Sequence, residues 1–239
     1  TIYLGSLQEA WQALDYSKAF LTSTFLAGSV AVFQTIFCAV AGYAFARLQF
    51  PFKRTLFACL LLSFVVPPQV LILPMIITAN KLHILNTYWP IILPAMLGHG
   101  LKGALFVIIY RQFFSTQPKE LEEAATIDGA RVIKVFCRVM LPLAKPAIIV
   151  VFLFSFVWSW NDFYYPSMYL FQTDNPPLSL SISRIASYMT QKAAEEGPSI
   201  FDTPMKMATS FLMIVPLLVL YSFTQRWFVE GVERTGLVE

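Results

Sequence analysis

The side chains best suited to recognition chemistry are concentrated in residues 118–142, which read PKELEEAATIDGARVIKVFCRVMLP. Pro118 suits the first position of a helix, where its missing N–H breaks no hydrogen bond. Three glutamates follow in the opening turns, where negative charge interacts favourably with the helix dipole. Gly129 can adopt a positive φ without steric cost, so we predict that the first helix ends there and that the chain turns.

The first predicted helix presents a shallow face of small apolar side chains. Leu121, Ala124 and Ala125 recur at helical spacing and are bordered by carboxylates, among them Glu123 and Asp128. Such a face lets the groove of another protein approach closely, so we predict a docking surface. A capped hairpin without a partner explains the composition equally well.

The second predicted helix runs from Arg131 to about Met140 and stops ahead of Pro142. Its basic residues lie on one side and its apolar residues on another. This pattern is typical of a helix that lies along a membrane surface. The basic residues are Arg131, Lys134 and Arg138, and the apolar ones are Val132, Phe136 and Val139.

The rest of the chain must position this segment, and its composition is that of a membrane protein. Of 239 residues, 57% are hydrophobic and 13% are charged, whereas a soluble domain usually carries about a quarter charged residues. The net charge of +3 does not indicate a nucleic-acid partner. A membrane-spanning helix needs about 20 apolar residues. We predict an all-α polytopic membrane protein with five spans, at about 21–46, 55–79, 88–114, 144–166 and 206–228.

The distribution of basic residues predicts the orientation of these spans, because cytoplasmic loops carry an excess of Lys and Arg. Eleven basic residues lie on the side of the loops 47–54 and 111–145, and five lie on the other side. The eleven are Arg47, Lys53, Arg54, Arg111, Lys119, Arg131, Lys134, Arg138, Lys145, Arg226 and Arg234. We therefore place these loops and the C-terminus in the cytoplasm and the N-terminus outside.

The predicted organisation is one transmembrane domain over residues 21–229, with a cytoplasmic loop at 115–142. An external segment, 1–20, precedes this domain, and a cytoplasmic tail, 230–239, follows it. A chain that starts outside without a signal sequence is difficult to insert. We therefore expect an additional span upstream of this sequence, and a protein with five spans is the alternative.

Two charged residues fall within the predicted spans, where a charge costs about 2.5–3.5 kcal/mol on insertion scales. They are Lys102 and Asp162. Either residue is a candidate for lining a translocation path. A buried ion pair between them, or a lysine that extends to the membrane surface, explains the same residues structurally.

Aromatic and amide side chains cluster near Asp162 at the end of the fourth predicted span. Trp158, Trp160, Asn161 and Tyr164 could bind a sugar through aromatic faces and amide hydrogen bonds. Aromatic residues are also enriched at membrane interfaces without any ligand, so both interpretations remain open. We take these residues, with Lys102 and Asp162, as the candidate translocation path.

The loop resembles a known motif. Glu123-Ala124-Ala125, then Gly129, then Leu141-Pro142 after eleven further residues, is similar to the EAA loop of ABC-importer permeases. Further stretches resemble the maltose-type carbohydrate-uptake branch of that family, in the same order and from about residue 22 to the C-terminus. They are Tyr43-Ala44-Phe45-Ala46-Arg47, Leu85-Asn86-Thr87-Tyr88-Trp89, Arg111-Gln112-Phe113-Phe114, Trp160-Asn161-Asp162-Phe163 and Gln225-Arg226-Trp227-Phe228-Val229.

The resemblance implies a type I ABC-importer transmembrane domain in the cytoplasmic (inner) membrane of a bacterium or archaeon. Family members usually have six spans. The helix before Gly129 would be the coupling helix, which sits in a groove of the ATPase and turns ATP-driven closure into movement of the spans. The implied coupling residues are Leu121, Glu123, Ala124, Ala125, Asp128, Gly129, Leu141 and Pro142.

The implied partners are a second homologous permease, two ATP-binding subunits and an extracytoplasmic solute-binding protein. The sequence contains no G-x-x-x-x-G-K-[ST] phosphate loop. We therefore expect a non-catalytic chain without a metal or cofactor of its own, and ATP and Mg in the partner ATPase.

Two alternatives concern the cargo and the energy source. The cargo predicted by the resemblance is a carbohydrate, and a polar non-sugar such as a glycerol phosphodiester is the alternative. A secondary transporter using Asp162 and Lys102 as a proton relay would need no ATPase, but it leaves the loop unexplained.

Overall fold

The apolar stretches fold into helices throughout the part of the chain that the computed structural model describes, which is residues 5–183, 185–186 and 202–236. The helices are α1 (Gly5–Ala13), α2 (Tyr16–Arg47), α3 (Lys53–Val65), α4 (Pro68–Lys81), α5 (Trp89–Met96), α6 (Gly103–Thr116), α7 (Glu120–Ile127), α8 (Val132–Val135), α9 (Leu141–Leu143), α10 (Lys145–Asn161), α11 (Tyr164–Tyr169) and α12 (Asp202–Gly236). A π-helical turn, Phe136–Met140, joins α8 to α9.

Within the described ranges, length and composition identify two helices that can cross a membrane, Tyr16–Arg47 and Pro204–Gln225, or up to four crossings if each of two bent pairs counts as one. The first and last predicted spans, 21–46 and 206–228, fall inside α2 and α12. The last helix continues through residues 230–236, and residues 237–239 of the predicted tail lie outside the described residues.

The second predicted span, 55–79, is divided into α3 and α4, which meet at an angle of 102°. Pro67 has an extended backbone, with φ −62° and ψ 134°, and Pro68 begins α4. A proline lacks the N–H that would continue a helix and disfavours helical geometry in the residue before it. The consecutive prolines therefore bend the segment that hydropathy predicts as a single helix.

The third predicted span, 88–114, is also divided, because six residues at 97–102 separate α5 from α6. We call these residues the break. Three of them have left-handed backbone: Gly98 (φ 69°), Gly100 (φ 90°) and Lys102 (φ 60°). The fourth predicted span, 144–166, is helical from Lys145 to Asn161 and then turns into α11.

The core of the bundle lies where α2 packs against α6 and α10. Buried side chains of the three helices and of the segment before α10 form one cluster: Cys38, Ala39, Tyr43, Phe106, Val107, Tyr110, Phe114, Val135, Met140, Ala144, Ala147 and Val151. Gly42 permits the close approach of α2 and α6, since a Cβ at this position would lie 2.9 Å from the backbone nitrogen of Arg111.

The N-terminal residues pack on the last helix. α1 contacts α12, and the hydroxyl of Tyr16 donates a hydrogen bond to the carbonyl of Leu212 at 3.0 Å. Residues 5–20, which the sequence predicts to be an external segment, thus form α1 and the first turn of α2. The N-terminal and C-terminal parts of the described chain lie side by side.

Candidate functional site

The docking helix predicted from the sequence is α7, Glu120–Ile127, with three acidic residues in its first turn. Its outward side chains include Leu121 (39% exposed) and Ile127 (86% exposed), together with Glu123 and Ala124. Ala125, by contrast, is half-buried against the core cluster. The face predicted from Leu121, Ala124 and Ala125 is thus split, because Ala125 anchors the helix while the other two face outward.

Gly129 ends α7 as the sequence pattern indicates. Its φ is +77°, and the amides of Gly129 and Ala130 donate hydrogen bonds to the carbonyls of Thr126 (3.0 Å) and Ala125 (2.9 Å). These two bonds are those of a Schellman motif, which satisfies the last carbonyls of a helix. No atom lies within 4 Å of a Cβ placed on Gly129, so the outer side of this turn is open.

The segment after Gly129 only partly follows its prediction. Arg131, Lys134 and Arg138 are exposed, in keeping with a basic outer side. Phe136 and Met140 face the bundle, since the ring of Phe136 packs 5.0 Å from the ring of Tyr43 and Met140 is fully buried, whereas Val132 of the predicted apolar side is 51% exposed.

The second helix does not stop at Met140, because α9 continues through Leu141 and Pro142. Pro142 lies in the first turn of α9, where a missing N–H breaks no helical hydrogen bond. Leu141 is half-buried against the core cluster, and Pro142 is exposed. The helical run from Val132 to Leu143 then meets α10 at 78°.

The last residue of α2 holds α7 to the bundle. Arg47 Nε lies 3.5 Å from Glu122 Oε1, and the side chains of Arg47 and Glu122 are 6% and 21% exposed. The guanidinium of Arg47 also donates a hydrogen bond to the carbonyl of Gln117, just before α7. The sequence analysis assigned Glu122 only an interaction with the helix dipole, as one of the three glutamates of the opening turns, and it assigned Gln117 no role.

An open groove of about 700 Å³ lies between the end of α2 and one side of α7. Polar and charged side chains line it together with apolar surface: Ala46, Arg47, Gln49, Lys119, Glu122, Glu123, Thr126 and Ile127. In the described ranges, no group of three or more His, Cys, Asp or Glu residues has a geometry that could hold a metal ion.

The candidate path residues do not form one site. Trp160 is 2% exposed, and its Nε1 donates a hydrogen bond to the carbonyl of Met213 at 3.3 Å. Trp158 stacks on Phe106, with the ring centroids 5.6 Å apart. Asn161 is exposed and donates a hydrogen bond to the carbonyl of Val157. The two tryptophans therefore pack inside this chain.

Asp162 lies just beyond α10 and caps α11. Its Oδ1 accepts hydrogen bonds from the amides of Tyr164 (2.9 Å) and Tyr165 (3.4 Å). Tyr164 is half-buried beside Tyr165. These contacts assign Asp162 a structural role at a helix start, where a carboxylate is a preferred cap.

Lys102 lies in the break, is exposed, and has its Nζ 6.0 Å from the ring centroid of Phe64. In the described residues, the ion pairs are Arg47–Glu122 and Lys18–Asp15. The suggested pairing of Lys102 with Asp162 is thus absent from this structure. Lys102 is instead a cation on a non-helical turn within a segment that hydropathy assigns to the membrane.

Gln34 holds this break in place, and the sequence analysis missed it. The Gln34 side chain is fully buried, and its Nε2 donates hydrogen bonds to the carbonyls of His99 (2.8 Å) and Leu101 (3.0 Å). Its Oε1 accepts a hydrogen bond from Ser155 on α10. Non-helical backbone at membrane depth is tolerated where the protein itself satisfies its polar groups. The sequence signal that could have identified this role is that Gln34 is a lone glutamine in an uncharged apolar run.

Residues 20–234 match the family described as "Binding-protein-dependent transport system inner membrane component". The chain is 32% identical to the "Osmoprotective compounds uptake permease protein GgtD" of Synechocystis over 96% of this chain and 73% of that protein. It is 29% identical to the "Arabinooligosaccharides transport system permease protein AraQ" of Halalkalibacterium halodurans, over 93% of this chain and 74% of that protein.

It is 30% identical to the "sn-glycerol-3-phosphate transport system permease protein UgpE" of Yersinia pestis, over 88% of this chain and 70% of that protein. Among solved structures, the fold is similar to that of a bacterial ABC transporter involved in the import of the acidic polysaccharide alginate. The TM-score is 0.78 at 18% identity, over 95% of this chain and 80% of that one. The predicted resemblance and the all-helical importer fold are confirmed. The chain therefore belongs to the family of binding-protein-dependent transport system inner membrane components, as a multi-pass, non-catalytic permease subunit of an ABC transporter whose ATP hydrolysis lies in a partner ATPase.

Proposed function

We propose that this permease imports a carbohydrate across the cytoplasmic membrane and is driven through α7, the coupling helix. The observation that carries the proposal is the division of α7 into two faces. Ala125 and Glu122 contact the bundle, whereas Leu121, Glu123 and Ala124 face outward beside the open turn at Gly129. Because α7 is anchored to the bundle and has a shallow outer face, a partner that binds this face can transmit its movement to the bundle.

The proposed docking surface consists of the outward side chains of α7 and the turn that follows it. Small side chains at Ala124 and Gly129 leave room for a partner's groove to contact the helix backbone closely. The carboxylates of Glu123 and Asp128 border this surface and would pair with basic side chains in the groove. Leu141 and Pro142 lie where the loop rejoins the bundle, and they would fix its exit rather than contact the ATPase.

The proposed assembly contains this chain, a second homologous permease, two ATP-binding subunits and an extracytoplasmic solute-binding protein. In it the chain has five crossings, with its N-terminal end outside and α7 in the cytoplasm. The support is the charge distribution, with eleven basic residues on the α7 side against five on the other. An ion-coupled mechanism loses its support, because the chain belongs to a family of ABC-transporter components.

The break is the proposed place where the cargo path passes this subunit. α6 has 14 residues, so Lys102 lies about 21 Å from the α7 end of the bundle, well inside a bilayer core about 30 Å thick. Ionisable groups at such depth usually mark a pathway or a binding site. Lys102 and the exposed Asn161 are the proposed path residues, while Trp158, Trp160, Asp162 and Tyr164 support the fold.

A carbohydrate is the proposed cargo because the relatives include a permease for arabinooligosaccharides and the structural neighbour comes from an alginate importer. The glycerol-3-phosphate permease among the relatives supports the second candidate, a polar phosphoester. Uptake of labelled arabinotriose and of labelled sn-glycerol 3-phosphate by cells that express the complete transporter separates the two. Transport of the phosphoester alone would overturn the carbohydrate assignment.

Substitution of Gly129 tests the docking role. Gly129→Asn keeps the left-handed turn, because asparagine tolerates positive φ, but adds a small side chain to the open surface. Gly129→Trp adds a bulky one. We expect co-purification of the ATPase to be weakened in Gly129→Asn and lost in Gly129→Trp, while the permease still inserts in the membrane. Full ATPase binding and uptake in Gly129→Trp would refute the proposal.

A further inference from the structure

We propose that Arg47 and Glu122 are positioning residues that pass the movement of α7 to α2, and through α2 to the break. This inference rests on the proposed function, in which the ATPase moves α7. The carrying observation is a largely buried ion pair between residues 75 positions apart, with Arg47 Nε 3.5 Å from Glu122 Oε1. Neither of these two atoms has a hydrogen-bond partner within the described residues, and the side chain of Tyr43 on α2 is a further polar neighbour of Glu122.

The burial of this pair distinguishes it from a surface pair. The other ion pair of the described residues, Lys18–Asp15, has side chains 69% and 60% exposed and joins neighbouring positions of one turn. Exposed pairs contribute little because water and salt screen them. In a buried pair, loss of one partner leaves an uncompensated charge inside the protein, which is strongly unfavourable. Arg47 and Glu122 are therefore held together when either helix moves.

The same face of α2 contacts the chain before and after α7. Arg47 binds the carbonyl of Gln117, which precedes α7. One turn earlier on α2, the ring of Tyr43 packs 5.5 Å from the ring of Phe114, which precedes α7, and 5.0 Å from the ring of Phe136, which follows it. The end of α2 thus holds the coupling loop at its entry, its first turn and its exit.

α2 continues without interruption from Arg47 to Gln34 and beyond, over 32 residues. Thirteen residues of helix place Gln34 about 20 Å from Arg47. Gln34 in turn binds the carbonyls of His99 and Leu101 in the break. One continuous helix therefore carries the ion pair at one end and the hydrogen bonds to the break further along.

The experiment measures movement of the break in the complete transporter, reconstituted in nanodiscs with its partner subunits. Cys59 and Cys137 are exposed and are replaced by serine, while Cys38 is buried. A single reporter, Leu97→Cys, is introduced at the edge of the break, where Leu97 is 78% exposed. The reaction rate of a membrane-impermeant maleimide is then compared without nucleotide and after trapping with Mg-ATP and vanadate.

In the parent transporter we expect trapping to change the labelling rate by at least about fivefold, at the lower end of typical allosteric couplings. Glu122→Gln and Arg47→Gln should lose most of this response while still binding the ATPase and hydrolysing ATP. The exchanged variant, Arg47→Glu with Glu122→Arg, should regain part of it. Glu120→Gln, an exposed substitution on the same helix, is the matched control and should respond like the parent.

Three outcomes would overturn the proposal. One is an undiminished nucleotide response in both single variants, and another is a parent whose labelling rate does not respond to nucleotide. The third is loss of ATPase binding in the single variants without recovery in the exchanged one, which would show a purely structural role. Failure of the proposed function itself is seen separately, as full ATPase binding by Gly129→Trp.

Discussion

The hydroxyl of Ser155 donates a hydrogen bond to Oε1 of Gln34 at 2.5 Å, which joins α10 to α2 inside the bundle. With the two carbonyls that Gln34 Nε2 binds in the break, this side chain makes hydrogen bonds to three residues in two other parts of the chain. Both the nitrogen and the oxygen of the Gln34 side-chain amide therefore form hydrogen bonds, as buried polar groups usually do. Gln34 is thus the point at which the divided third segment is fixed to the continuous helix beside it.

Gln34→Leu should strongly destabilise the protein, because it leaves the carbonyls of His99 and Leu101 and the hydroxyl of Ser155 without their partner. Each unsatisfied buried group costs about 1–3 kcal/mol. Thermal unfolding in detergent micelles would measure this as a lower Tm. The control is Ser63→Ala, which removes an exposed hydroxyl bonded to the carbonyl of Leu60. Equal Tm values for the two variants would contradict the assigned role of Gln34.

Gly42→Val should disrupt the packing of α2 on α6. A Cβ at this position would lie 2.9 Å from the backbone nitrogen of Arg111, and backbone cannot rotate away as a side chain can. Overpacking of this kind costs about 1–3 kcal/mol or more. Gly28→Val is the matched control on the same helix, since nothing lies within 4 Å of a Cβ there. Membrane yield and Tm should fall for Gly42→Val and stay near wild type for Gly28→Val.

Lys102→Gly should raise stability and lower uptake. The left-handed backbone of Lys102 (φ 60°) costs a residue with a Cβ about 1–2 kcal/mol, and glycine removes that cost. The same change removes the proposed path cation. Lys102→Arg should keep uptake. His83→Gly, at another exposed left-handed position (φ 55°), should raise Tm without affecting uptake. Unchanged uptake in Lys102→Gly would exclude Lys102 from the path.

Trp160→Ala should reduce stability before it affects recognition of the cargo. The side chain is 2% exposed and binds the carbonyl of Met213 on α12, so truncation of this packed ring costs about 3–5 kcal/mol. Asn161→Ala removes an exposed side chain next to it and should leave Tm unchanged. Equal Tm values but selective loss of sugar uptake in Trp160→Ala would restore the sugar-contact interpretation.

The sequence predicted the elements that depend on local chemistry. Gly129 adopts the expected left-handed turn, α7 has the expected acidic first turn, and the 32-residue α2 contains the first predicted span. The consecutive prolines at 67 and 68 divide the second predicted span, but hydropathy averages over a window and so merged α3 with α4.

The contacts that hold the site together could not be predicted, because they join distant positions. Arg47 was one basic residue among eleven on its side, and only the fold shows Glu122 as its partner. Similarly, the glycines at 98 and 100 were visible, but the hydrogen bonds that Gln34 donates to the carbonyls of His99 and Leu101 depend on how α2 lies against the break. The two tryptophans matched the pattern expected of a sugar-binding site, but Trp160 binds the carbonyl of Met213 and Trp158 stacks on Phe106. Neither contact can be read from the sequence.

The close packing at Gly42 gives α2 the geometry of a lever. The point of contact with α6 lies five residues from Arg47 and eight from Gln34, so the two arms are about 7.5 and 12 Å long. If the helix pivots there, a sideways displacement of Arg47 becomes one about 1.6 times larger, in the opposite direction, at Gln34. The position of Gly42 along α2 would then determine both the size and the direction of the displacement at Gln34.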